Sequence, residues 1–244
     1  MSEGIATPEE VAVNQGKYET LDIPTIEQPL RILVGQLKNN FENGTYALLI
    51  GDDTSGRVPT LIMKNVSDVV TQKRGLPTLP TVFVQAGRYL NDEQVQKQIE
   101  DLRVRYGSTT QDKKALLITD YIRSGKTLKR LTELFSDNNM GFDVATLDMD
   151  ESEEAYRQQG VISPETTVFC GNPGSEHKQP VIWRHPGLVG IEPHADSSIN
   201  RGGGFEIKGL RLKKSPTARA LMGEARRDAK RISAKLIHEF YPQS

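Results

Sequence analysis

A chain of 244 residues is long enough for one α/β domain with a sizeable core and an added subdomain. Its 36% hydrophobic and 26% charged residues contain no apolar run of membrane-spanning length, which excludes a helical membrane protein. The single Cys170 excludes an internal disulfide, and His177, His185, His194 and His238 show none of the short spacings of a zinc site.

The opening "MSEGIATPEEVAV" is acidic and lacks the charged-then-apolar pattern of a signal peptide, so residues 1–22 read as a tail and the protein as cytoplasmic. Residues 25–41 place Ile26, Leu30, Leu33, Val34, Leu37 and Phe41 on one helical stripe that stops at Asn43-Gly44. A strand is expected at Tyr46 to Ile50. It runs into "GDDTSGRVP", residues 51–59, a turn rich in Gly and hydroxyls, with Asp53 or Ser55 as the cap of a helix from about Val58 to Lys73. A strand at Thr81 to Gln85 and a charged helix from Asn91 to about Arg105 come next. The polar segment "YGSTTQDKK" then has the composition of a mobile loop.

The most informative stretch is "LLITDYIRSGKTLKRL", residues 116–131. Leu116, Leu117 and Ile118 form an apolar run without alternation, as in a strand covered on both faces, which puts Asp120 at its carboxyl end. Thr127, Leu128, Leu131 and Leu134 or Phe135 recur at helical spacing, so a helix begins within Ser124-Gly125-Lys126-Thr127. Unpaired N–H groups at a helix start, its positive dipole end, a Gly without a side chain and two hydroxyls together make an anion site suited to phosphate. A plainer alternative is a strand–turn–helix joint with Ser124 as cap and Lys126 in solvent. A third is a nucleotide P-loop, but counting back from Gly125 puts Asp120 where that motif needs its first Gly.

Strands near Phe142 to Leu147 and Thr167 to Cys170, with a short helix at Ser152 to Gln159 between them, complete an alternating pattern. That pattern predicts an α/β fold with a doubly wound, mostly parallel sheet of about five strands, preceded by the N-terminal helix. Ligands in such sheets bind beyond the carboxyl ends of the strands, near the point where strand order reverses. The core is expected over residues 23–198, including a Pro- and Gly-dense hood at 170–194 with the only Trp, Trp183. Residues 199–244 comprise a Gly-rich connection, "INRGGGFEIKG", and a basic helix from Pro216 to about Phe240, with Ser215 as its cap. From Phe205 onward there are ten Lys and Arg against four Asp and Glu, so that segment is +6 and the remainder −7. The charges scatter around the helix without aromatic interleaving, which reads as a solvated face rather than a nucleic-acid footprint. The apolar stripe of this helix suits either packing on the core or pairing in a homodimer.

The strand–turn–helix stretch resembles the phosphoribosyl-pyrophosphate motif of type I phosphoribosyltransferases: four apolar residues, two acidic residues, a short variable run, then Thr/Ser-Gly-x-Thr. The resemblance implies that Asp120 is the second acidic residue, the catalytic carboxylate holding the ribose hydroxyls. Arg123, Ser124, Gly125, Lys126 and Thr127 then form the 5′-phosphate loop. It also implies a pyrophosphate loop after the first core strand, here Asp53, Thr54, Ser55, Gly56 and Arg57, although the family's usual order has the basic residue before the Gly. Base recognition falls to the hood, with Trp183 as a stacking candidate. Departing pyrophosphate calls for magnesium, with Asp120 orienting the ion's water shell and Asp52 or Asp53 as further carboxylates. Two positions depart from the pattern. Thr119 stands where the first carboxylate belongs, and Arg123 where some members carry an acidic residue. The implied activity is transfer of ribose 5-phosphate from phosphoribosyl pyrophosphate to a nitrogenous base. A non-catalytic sensor of phosphoribosyl pyrophosphate or nucleotide on the same fold is the alternative, and a P-loop NTPase the third.

Overall fold

A computed structural model describes residues 23–52, 56–86, 90–107, 112–172, 191–193, 210–212 and 216–242. The expected site and cap residues Asp53, Thr54, Ser55, Trp183 and Ser215 lie outside these residues. So do most of the hood, the Gly-rich connection, and residues 108–111 of the polar segment before the third strand.

In chain order the described elements begin with α1 (Ile23–Glu42), β1 (Tyr46–Asp52), α2 (Arg57–Arg74), β2 (Thr81–Val84) and α3 (Asp92–Tyr106). They continue with β3 (Lys114–Ile122), α4 (Lys126–Asp137), β4 (Phe142–Met149), α5 (Glu153–Gln158) and β5 (Val168–Cys170). Beyond the sheet come β6 (Ile191–Pro193), β7 (Leu210–Leu212) and α6 (Pro216–Phe240). The five-stranded sheet has the order β2-β1-β3-β4-β5 with every neighbouring pair parallel, the doubly wound architecture expected from the alternating pattern. Strands β6 and β7 pair antiparallel in a separate ribbon, Ile191 opposite Leu212. Nothing in the alternation of apolar residues marks such short strands.

Strand alternation divides the core in two. Leu49 of β1, Leu116 and Ile118 of β3, and Ala145 and Leu147 of β4 face α1, α2 and α6. Leu48 and Ile50, Ala115 and Leu117, and Val144 face α3, α4 and α5. Because both faces are covered, consecutive strand residues are apolar, which is why these strands read as unbroken runs. Each fully buried Leu or Ile stabilises the fold by about 1.5–3 kcal/mol. Helix α6 contributes Ala225, Ala229, Ile232 and Leu236 to the first layer, so these four described residues of its apolar stripe pack on the core.

Strand β3 is longer than the apolar run that announced it. Its pairing with β1 ends at Ile118, whereas pairing with β4 continues through Ile122 opposite Met149. Asp120 is therefore inside the strand rather than at its end.

Candidate functional site

Strand order reverses between β1 and β3, and a cleft opens at the carboxyl ends of these two strands. It has room for about 150 Å³. Its polar wall consists of Asp52, Thr119 and Tyr121 together with the turn from Arg123 through Thr127, and Leu117, Ile122, Leu128 and Leu131 complete the lining. The turn singled out in the sequence thus sits where the fold rule places a ligand.

Three residues, Arg123 to Gly125, carry the chain from β3 into α4. Gly125 occupies the N-cap with φ 65°, and no side chain hydrogen-bonds at that cap. Ser124, the cap in the plainer alternative, instead precedes the cap position, which Gly125 holds. A Cβ on residue 125 would lie 2.6 Å from Val161 Cγ1, so backbone conformation and packing both demand glycine. The first amides of α4 are left directed out of the helix end with its dipole, the arrangement that favours an anion. Ser124 and Lys126 are exposed and Thr127 half-buried beside them. A P-loop would need irregular chain from position 120 to 125, but residues 120–122 are strand, so the turn is too short for one.

The start of α2 is built in a similar way. Gly56 is its N-cap, again without a side-chain cap bond, and its N–H donates to the Asp52 carbonyl at 3.1 Å. The cap position thus belongs to Gly56 rather than to Asp53 or Ser55. A Cβ there would meet the Ile118 carbonyl at 2.5 Å, so the helix start abuts the main chain of β3. The Arg57 guanidinium lies over the Phe83 ring, 5.2 Å from its centroid.

The residues assigned from the motif separate into two groups. Arg123, Ser124, Gly125, Lys126 and Thr127 come together at the cleft, with Thr119 and Asp52 on its wall. Asp120 does not line it: strand alternation turns its side chain toward the layer of Leu116 and Ile118, where it is 3% exposed. Arg123 is held loosely. Its Nε is 3.9 Å from Asp150, whose other carboxylate oxygen accepts a hydrogen bond from the Tyr121 hydroxyl.

Three supporting residues were not foreseen. The buried Tyr156 hydroxyl lies 2.8 Å from the Ile122 carbonyl and 2.6 Å from that of Arg123. Burial pushes this phenol's pKa up. Val161 sits against Gly125, its N–H bonded to the Tyr156 carbonyl at 2.9 Å and its carbonyl accepting from the Thr132 hydroxyl at 3.1 Å. Asp150 ties the end of β4 to the turn, its N–H donating to the Ile122 carbonyl at 3.0 Å. All three lie some 30 residues from the motif, beyond the reach of a local pattern.

Neither a protein-family model nor a curated protein matches this sequence. What the structure itself shows is a doubly wound, parallel five-stranded sheet flanked by N- and C-terminal helices, with the Arg123–Thr127 turn at its switch point. Among the described residues no helix is long and apolar enough to cross a membrane, and no three His, Cys, Asp or Glu side chains form a group that could hold a metal.

Proposed function

We propose that this protein binds phosphoribosyl pyrophosphate in the cleft between β1 and β3 and transfers ribose 5-phosphate to a nitrogenous base, releasing pyrophosphate. The observation that carries the reading is the start of α4, without a side-chain cap, opening into the switch-point cleft among Ser124, Lys126 and Thr127. A 5′-phosphate in that turn would meet backbone amides, hydroxyls and the Lys126 ammonium. The diphosphate end would extend toward the start of α2 and Arg57, with the ribose between them against Asp52 and Thr119. Asp52, the one carboxylate among the described residues of the cleft wall, stands there with hydroxyls, which suits a magnesium ion that keeps its waters and takes further oxygens from phosphates. Asp52 would hold that water shell, and the ion would neutralise pyrophosphate as the C1 bond breaks.

One observation favours the sensor as a second reading. The cleft wall carries Thr119 where the motif has a carboxylate, and Asp120 is covered. Phosphoribosyl pyrophosphate with magnesium, incubated with a panel of purine and pyrimidine bases and assayed for pyrophosphate, separates the two. Release with one base supports the transferase. Calorimetric binding without release supports the sensor, and binding of neither this ligand nor ribose 5-phosphate sinks both.

A further inference from the structure

Tyr156 lies on α5, outside the motif and outside the cleft lining, yet it touches the turn at its most sensitive point. The ring is wholly buried. Its single hydroxyl faces two consecutive main-chain carbonyls, Ile122 at 2.8 Å and Arg123 at 2.6 Å. The Ile122 carbonyl also accepts from the Asp150 N–H at 3.0 Å. Both peptide oxygens at the end of β3 are thus directed to a buried donor. A carbonyl turned instead into the cleft would set a partial negative charge against any anion held by the amides of α4.

We infer that Tyr156 is a positioning residue for anion binding: its hydroxyl withdraws the Ile122 and Arg123 carbonyls from the cleft, so that the turn presents donors to a phosphate. This rests on the phosphate reading of the turn proposed above. The rest of the connection acts to the same end. Val161 is hydrogen-bonded both to the Tyr156 carbonyl and to Thr132 of α4, and its side chain sets the height of Gly125. The β4–β5 connection therefore fixes the shape of a turn to which it is remote in sequence.

The test is Tyr156→Phe, which keeps the ring and deletes the donor. Inorganic phosphate and ribose 5-phosphate are titrated into wild type and variant while the amide resonances of Arg123 to Thr127 are followed by NMR. The expected result is about five- to tenfold weaker binding, the effect of one hydrogen bond, with those amide resonances displaced before any ligand is added. Thr132→Val, which removes another hydrogen bond of the same platform without touching either carbonyl, should leave the Arg123 amide in place. Equal affinity and unmoved resonances in Tyr156→Phe overturn the inference while leaving the phosphate site standing. A wild type that binds neither anion overturns the site and the inference together. If Tyr156→Phe does not fold, para-aminophenylalanine at position 156, a weaker donor of similar shape, takes its place. A smaller loss of affinity supports the inference, and an unchanged affinity overturns it.

Discussion

Val161 occupies the space in which a side chain on residue 125 would begin: Cγ1 lies 2.6 Å from the position of a Cβ on Gly125, whose φ is 65°. The glycine of this turn is thus required by the fold itself, whatever the turn binds. Gly125→Ala should lose about 1–3 kcal/mol of stability from the left-handed backbone and the overlap together. Gly125→Ala with Val161→Ala should recover the overlap but not the backbone strain. Urea denaturation of the two variants checks this, and a Gly125→Ala protein as stable as wild type would contradict it.

This relationship also marks where sequence reading stops. The alternation of apolar runs and helical stripes exposed the five strands and their helices, because burial on both faces leaves a direct trace in Leu48 to Ile50 and Leu116 to Ile118. The Ser-Gly-Lys-Thr turn was legible because a helix start has its own residue chemistry. The orientation of Asp120 was not. It depends on β3 continuing to Ile122, and that is set by β4, a strand some 27 residues downstream in the register. Tyr156 and Val161 were illegible for the same reason: each acts across a tertiary contact, and neither residue type is unusual where it stands.

The buried end of β1 gives a pH-dependent prediction. Tyr46 donates to Asp143 at 3.1 Å, and Asp143 also accepts from Lys114 at 2.7 Å and from the Thr167 N–H at 3.0 Å. Burial first, and the Asp143 charge second, push the Tyr46 phenol well above its ordinary value of 10. A raised folded-state value means that the stabilisation is complete below about pH 10 and is lost as pH rises beyond it, when the unfolded chain ionises more readily. Wild type should therefore lose stability above pH 10, and Tyr46→Phe should flatten that limb. At pH 7 the variant should be about 1 kcal/mol less stable, for the lost hydrogen bond. Thermal melts from pH 7 to 11 provide the measurement, and parallel curves for the two proteins would rule the account out.

Arg57 has two roles to separate. Its place over Phe83 is worth about 0.5–1 kcal/mol as a half-buried cation–π contact. Its proposed second role is at the diphosphate end of the ligand. Arg57→Ala should lower stability by that amount and weaken pyrophosphate binding more than ribose 5-phosphate binding. Equal loss for both ligands would place Arg57 elsewhere.

The two carboxylates near the cleft should behave differently. Asp52 lines it, whereas Asp120 is 3% exposed in the opposite layer. Asp52→Asn should cost about 1.5–3 kcal/mol of magnesium-dependent binding, as for a hydrogen bond to a charged group. Asp120→Asn should act mainly on stability. Calorimetry with phosphoribosyl pyrophosphate, paired with urea denaturation of each variant, tells them apart, and the reverse ranking would return the ribose contact to Asp120.

Thr119 decides between an enzyme and a sensor. It is half-buried on the cleft wall, in the strand position where the resembling motif carries its first carboxylate, and Asp52 lines the same cleft. In Thr119→Glu the new carboxylate and Asp52 would be like charges in one small space. Without a cation they repel, one pKa rises, and an anionic ligand binds more weakly than to wild type. With magnesium the pair becomes a site with two oxygen donors for an ion that also binds the ligand's phosphates. A transferase cleft should therefore respond with opposite signs: weaker binding without magnesium, and about tenfold tighter binding with it, a gain of ~1.4 kcal/mol. Pyrophosphate release should rise under the same conditions. If the cleft is shaped around the threonine hydroxyl as a sensor, the added charge can only repel, and the variant should bind more weakly with and without the ion. Titration of phosphoribosyl pyrophosphate into both proteins in the presence and absence of magnesium reads the sign directly, and loss under both conditions removes the transferase reading.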